Sequence, residues 1–188
     1  YFSVTALLRL CKIVKLSIIR IERKPVHGGS LRIYAGKQET YPNHAERVLK
    51  MAETEKNSGL TGVERFVRFA KDVQNFRHEI IDLLTSLKNS GKHIAGYGAP
   101  AKGNTLLNYC GIDTRFLDFT VDKNPLKVGK YTPGMHLPVL PVSTLLEKQP
   151  DYVLILAWNF AEEILQQQQP YRDLGGKFII PIPTPMVV

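Results

Sequence analysis

Gly96-Tyr-Gly-Ala-Pro-Ala101-Lys-Gly-Asn-Thr105 is the stretch of this chain best suited to hold a charged ligand. Gly96, Gly98 and Ala101 fit G-x-G-x-x-(G/A), a pattern with physical content only where a strand enters and a helix leaves. Both are expected here, a short buried strand over His93–Tyr97 and a helix body over Asn104–Cys110. In that setting Gly96 permits a tight turn, Gly98 lets the backbone approach an anion, and Ala101 lets the helix pack on the strand. Exposed N–H groups and the positive end of the helix dipole then face the ligand. Pro100 suits a first helical turn, where its missing N–H is no loss. Lys102 adds a mobile positive charge, Asn104 an amide and Thr105 a hydroxyl. The alternative is a tight strand–helix turn that holds no ligand.

Other residues can join this loop only if the fold brings them there. Asp122 closes the next expected strand, where such folds place a ribose-binding acid; capping of Asp122-Lys-Asn-Pro125 is the competing role. Lys123, Lys127 and Lys130 follow and suit either phosphate or solvent. Trp158 and Asn159 end a later strand across the expected crevice. The indole either stacks on a base or sugar or lies buried under the sheet edge, while Asn159, with Glu162 three residues on, reads first as a helix cap and second as a ligand contact. His27 sits at a Gly28-Gly29 bend and either serves the turn or faces a neighbouring site. His136 has no visible partner, and His78 falls on a polar helix face. The sequence shows no paired carboxylates, G-x-S-x-G, P-loop or metal-ligand cluster, so it supports binding and names no complete catalytic set.

The elements that must position these residues follow from periodicity. Residues 1–12 read as the end of a helix, Ile13–Ile21 and Leu31–Tyr34 as an antiparallel pair, and 37–60 as a polar connector with room for a short helix over Asn43–Lys56. Thr61 and Glu64 form a capping box. Val63, Phe66, Val67, Ala70, Val73, Ile80, Leu84 and Leu87 then share one helical face, with Gly91 as the stop. Strands are expected at His93–Tyr97, Phe116–Val121, Leu137–Leu140, Tyr152–Ala157 and Lys177–Ile182, with helical segments between most of them. Alternation of this kind, with right-handed crossovers, gives an α/β, Rossmann-like three-layer domain over 91–188 with parallel strand order 3-2-1-4-5. Its crevice lies between the ends of the first and fourth of those strands.

Composition sets outer limits. The chain has 188 residues, 44% hydrophobic and 22% charged, with net charge +8, as in a globular protein that can meet a diphosphate. The basic residues are scattered and form no nucleic-acid recognition motif. No apolar run is long enough for a membrane span and no signal peptide is visible, which points to the cytoplasm. Two isolated cysteines, Cys11 and Cys110, read as reduced buried thiols.

Pro25-Val-His-Gly-Gly-Ser-Leu-Arg-Ile-Tyr34, the Gly96–Thr105 loop, Val121-Asp-Lys-Asn-Pro125, Gly129-Lys-Tyr-Thr-Pro-Gly134 and Leu154-Ile-Leu-Ala-Trp-Asn159, in that order, resemble the C-terminal part of the sugar C-methyltransferases. The resemblance covers nearly the whole chain. It implies an S-adenosylmethionine-dependent enzyme that methylates a carbon of a nucleotide-linked keto-deoxysugar. Residues 1–36 would then be the end of a methyltransferase domain, 37–60 a connector, 61–90 a linking helix and 91–188 the nucleotide-binding domain.

The resemblance also implies that the catalytic base lies outside this chain. The family stretch resembles Glu-His-x-x-Tyr-Phe-Ser, and the chain opens at Tyr1-Phe2-Ser3, so the base would lie just before Tyr1. The zinc-binding region and most of the methyl-donor site would lie in the missing part, which would be the intramolecular partner of this one. Gly96, Tyr97, Gly98, Ala99, Lys102, Gly103, Asn104, Thr105, Asp122, Trp158 and Asn159 are then the candidate contacts to a nucleotide-diphosphate sugar, with Tyr1 and His27 as possible cleft-facing residues. The competing reading is an independent NAD-type dinucleotide-binding domain that uses Asp122 on the ribose and has no catalysis of its own.

Overall fold

The computed structural model describes residues 2–26 and 28–188, so Tyr1 and His27 lie outside the described residues. The chain divides into two compact units, 1–71 and 72–188.

The first unit begins with α1 (Val4–Ile13), followed by β1 (Leu16–Lys24) and β2 (Ser30–Lys37), which pair antiparallel from Leu16↔Lys37 to Lys24↔Ser30. Ser3 caps α1 by accepting from Ala6 N–H at 3.1 Å. The expected strand at Ile13–Ile21 therefore starts late, because the helix keeps Ile13, which is 78% exposed. Residues 37–60 carry α2 (Glu46–Asn57), whose Val48 is fully buried with Val4, Cys11, Ile18 and Ile21. Glu55 of α2 reaches back across 51 residues to the start of α1. Its carboxylate accepts from Val4 N–H at 2.7 Å, Thr5 N–H at 2.8 Å and the Thr5 hydroxyl at 2.7 Å. Burial alone would raise its pKa, but these bonds outweigh burial and hold it below the ordinary value.

Helix α3 (Val63–Asn89) ends as its sequence suggests: Gly91 stands at φ +73° and its N–H returns to Lys88 C=O. Its apolar stripe is only half used. Ile80 and Leu84 are fully buried, whereas Val63, Phe66 and Val67 are 70%, 55% and 64% exposed.

The second unit holds a six-stranded sheet ordered β5-β4-β3-β6-β7-β8. Its strands are β3 (Ile94–Tyr97), β4 (Thr120–Val121), β5 (Val139–Leu140), β6 (Tyr152–Ile155), β7 (Lys177–Ile180) and β8 (Met186–Val187). The first five are parallel in the expected 3-2-1-4-5 order, and β8 adds an antiparallel edge that the sequence reading lacked. One face packs on the C-terminal half of α3 and on α4 (Ala101–Cys110), through Ile80, Leu84, Leu107, Leu154 and Leu156. The other packs on α5 (Thr144–Lys148), α6 (Ala161–Gln167) and α7 (Gln169–Asp173), through Leu145, Val153, Ile164, Tyr171 and Phe178. This is the three-layer α/β arrangement. The expected Phe116–Val121 strand shrinks to two residues because Phe116 and Leu117 N–H both turn back to Asp113 C=O.

Candidate functional site

The site is built where the strand order reverses. β3 and β6 are neighbours, in parallel register from Ile94↔Tyr152 to Tyr97↔Ile155. Their chains leave the sheet in opposite directions, β3 into α4 and β6 into a 3₁₀ turn at Trp158–Phe160. The gap this opens at the carboxyl edge is the general ligand position of such sheets. A cavity of about 300 Å³ lies there, lined by Tyr97, Gly98, Pro100, Asp122, Lys123, Lys127, Ala157, Phe160, Glu163 and Ile164. Its floor is apolar and its rim charged. A larger cavity of about 470 Å³, around His93, Asp118 and Lys148, sits at the opposite, amino edge of the sheet.

The glycine-rich loop takes its shape for reasons that differ in part from the motif's usual logic. Gly96 is no turn residue. It lies inside β3, where a Cβ would meet Thr120 Oγ1 at 2.7 Å, so it serves strand packing. Gly98 makes the turn, at φ +91° and with Ala157 Cβ 3.2 Å from where its own Cβ would stand. Ala101 is exposed and does not set the helix–sheet approach. Gly103 does, because a Cβ there would lie 2.9 Å from Leu156 Cβ and 3.1 Å from the Leu156 carbonyl oxygen. Pro100 stands one residue before the helix, in extended conformation, rather than inside the first turn.

Part of the loop's donor set is already engaged. Gly96 N–H donates to Phe119 C=O at 2.8 Å, Gly98 N–H to Val121 C=O at 2.6 Å and Ala99 N–H to Asp122 Oδ2 at 2.7 Å. The first-turn amides of Ala101, Lys102 and Gly103 have no carbonyl within the helix to reach, and these carry its positive end.

The candidate side chains divide into those brought together and those turned away. Lys102 Nζ sits 4.8 Å from the centroid of the Trp158 ring, so two residues 56 positions apart meet across the β3–β6 gap. Burial lowers the Lys102 pKa from the usual lysine value. Asn104 Oδ1 is buried without a hydrogen-bond partner, an unmatched acceptor one turn into α4. Thr105 is exposed, and its hydroxyl donates to Ala101 C=O at 3.2 Å. Tyr97 is 3% exposed and forms the cavity floor, its phenol oxygen accepting from Gln168 Nε2 at 3.4 Å. Asn159 lies within the 3₁₀ turn and does not cap α6, whose cap position is Phe160 without a side-chain bond.

Asp122 is engaged on both oxygens. Oδ1 accepts from Asn124 N–H at 2.8 Å, and Oδ2 from Ala99 N–H and from Lys127 Nζ at 3.0 Å. Burial works against its charge, but the Asn124 and Ala99 amides and Lys127 outweigh it, and the pKa falls below the ordinary carboxylate value. Lys123 bridges to Gln167 and stands 3.7 Å from Glu163, spanning the two sides of the cavity. Sequence reasoning left Glu163, Phe160 and Ile164 unmentioned as site residues. Among the described residues, their only signal was their place on the 3₁₀ turn and the helix that follow the fourth parallel strand.

Among the described residues no group of three His, Cys, Asp or Glu side chains is placed to hold a metal, and Cys11 and Cys110 are buried and free. Among the described residues no helix is long and apolar enough to cross a membrane.

The strand order, the crevice at its reversal and the glycine-rich strand–helix turn together define a Rossmann-like domain. Residues 25–183 match the family model of the C-methyltransferase C-terminal domain, and the chain belongs to that family. It is also 34% identical over 188 residues to the C-methyltransferase NovU of Streptomyces niveus, an alignment that covers all of this chain and 45% of that protein. The chain thus spans less than half the length of the curated relative it matches.

Proposed function

We propose that this chain is the nucleotide-holding C-terminal part of an S-adenosylmethionine-dependent enzyme that methylates a carbon of a nucleotide-linked keto-deoxysugar. The observation that carries the reading is the contact of Lys102 with Trp158 beside the unpaired first-turn amides of α4, at the carboxyl edge of the sheet where the 300 Å³ cavity, lined by other residues, also opens. A diphosphate suits the amides and Lys102, because a helix N-terminus and a partly desolvated ammonium both favour anions. A planar base suits the apolar floor of Tyr97, Pro100, Ala157 and Ile164. The NAD-type alternative loses support at Asp122, since both of its oxygens are already engaged by the protein.

The remaining chemistry belongs to parts of the enzyme beyond these residues. Residues 1–36 are read as the end of the methyltransferase domain, with the base just before Tyr1. In the parent enzyme that base removes the proton beside the sugar's keto group, and proton abstraction of this kind also needs the oxyanion stabilised. S-adenosylmethionine, when bound, supplies an electrophilic methyl group on sulfonium. We place most of its site outside these residues; in the first unit Ser17 Oγ is an orphan polar atom, but one hydroxyl inside a packed hairpin does not by itself make a nucleoside site. Zinc likewise has no ligand cluster among the described residues. The contribution of this chain is to bind and orient the sugar nucleotide.

Calorimetric titration of the chain with thymidine diphosphate, with NAD as control, tests the reading. Binding of the thymidine ligand that Lys102→Ala weakens supports it. Binding of NAD alone, or of neither ligand, overturns it.

A further inference from the structure

Asp122 and Lys127 close on the two polar backbone groups of one residue. Asp122 Oδ2 accepts from Ala99 N–H at 2.7 Å and from Lys127 Nζ at 3.0 Å. Lys127 Nζ donates in turn to Ala99 C=O, also at 3.0 Å. Ala99 is therefore gripped at its donor and its acceptor by a loop 23 residues further along. Asn124 N–H holds the other carboxylate oxygen at 2.8 Å and so fixes the plane of the acid. The Asp122 side chain is only 11% exposed, which leaves water little access to these charge-assisted bonds.

The gripped residue is a sensitive one. Ala99 stands between Gly98, at φ +91°, and Pro100, the cap position of α4. Where Ala99 sits decides where the amides of Ala101, Lys102 and Gly103 point. It also decides the width of the cavity, because Gly98, Pro100, Asp122 and Lys127 all line it.

We infer that Asp122 is a positioning residue and not a ligand acceptor: with Lys127 it clamps the glycine-rich loop at Ala99 and so aims the α4 amides at the nucleotide diphosphate. For its ligand the inference rests on the nucleotide reading above; the clamp itself stands on geometry. A carboxylate has about four lone-pair sites, and Asp122 already gives three of them to protein donors, so little of it is left for a ribose. Lys127 is drawn inward by the same contacts, which leaves the diphosphate to Lys102 and the helix amides.

Amide hydrogen exchange at Ala99, read by NMR on the parent chain and on Asp122→Asn, Lys127→Met and Lys127→Arg, tests the clamp directly. Thymidine diphosphate titration of the same four proteins, and of the Asp122→Asn/Lys127→Met double variant, tests its consequence. Loss of a charge-assisted bond predicts exchange at Ala99 faster by about tenfold to a hundredfold in Asp122→Asn and in Lys127→Met. Nucleotide affinity falls alongside it in both, while Lys127→Arg, which keeps the cation, stays near the parent on both readouts. The double variant is no worse than the poorer single one, as coupled partners require. Unchanged Ala99 exchange in both single variants overturns the clamp. So does an affinity loss in Asp122→Asn with Lys127→Met at the parent level, because that pattern makes Asp122 a direct ligand contact. If the parent chain fails to bind thymidine diphosphate, the nucleotide reading falls, and Ala99 exchange still decides the clamp.

Discussion

Replacing Gly103 by alanine should loosen the joint between α4 and the sheet on which the crevice depends. The added Cβ would stand 2.9 Å from Leu156 Cβ, 3.1 Å from the Leu156 carbonyl oxygen and 3.1 Å from Pro100 Cδ. None of these atoms is the free end of a long side chain. The strand must give or the helix must lift, and overpacking of this kind costs about 1–3 kcal/mol. Alanine returns up to about 1 kcal/mol of helix propensity, less in a first turn. The net expectation is a loss of about 1–2 kcal/mol, or roughly 3–8 °C in the melting temperature of a unit this size. Gly103→Val forgoes most of the propensity gain and should lose about 3 kcal/mol. Thermal unfolding followed by far-UV circular dichroism, with urea titration beside it, measures both. Gly103→Ala at or above parent stability would refute the packing argument, and with it the claim that this glycine, not Ala101, sets the approach.

Three further outcomes follow from other contacts. Gly98→Ala places a side chain at φ +91° and 3.2 Å from Ala157 Cβ; urea unfolding should show a loss of about 1–3 kcal/mol. Glu55 has a pKa lowered below the ordinary 4.5 in the folded chain. Its contribution to the first unit is therefore full above the unfolded value and disappears as pH falls through the folded one; melts taken from pH 7 down to pH 3 should show this loss in the parent and lack it in Glu55→Gln. Lys102, with its pKa lowered by burial, should give up its charge before an ordinary lysine near 10.5 does. Affinity for a nucleotide diphosphate, followed by calorimetry as pH rises, should decline earlier in the parent than Lys102→Arg, whose charge persists.

What the sequence disclosed and what it hid have separate physical causes. The parallel order around β3 was legible because Ile94–Tyr97 and Tyr152–Ile155 are short buried runs and crossover handedness leaves few arrangements. The place of the crevice followed from that order, and the meeting of Lys102 with Trp158 agrees with it. The role of each loop residue did not follow. A motif gives spacing, while the close approach depends on which helical residue faces Leu156, and that proved to be Gly103. Asp122 was correctly placed at a strand end, but a sequence cannot say whether a carboxylate points outward or back at Ala99. The Glu55 cap on α1 joins residues 51 apart and leaves no local signature. β8 has two residues and so no periodicity to read. The stripe from Val63 to Val67 has a clear period and yet is exposed, because periodicity marks an apolar face without supplying its cover.

The most direct test of the proposal that the crevice holds a nucleotide is an amide and indole chemical-shift map of the chain as thymidine diphosphate is added. The single tryptophan, Trp158, makes the indole signal unambiguous. The largest changes are expected on the Ala101, Lys102 and Gly103 amides and on the Trp158 indole N–H. Changes confined to the cavity around His93 and Lys148 at the amino edge, or none at all, would contradict the proposal.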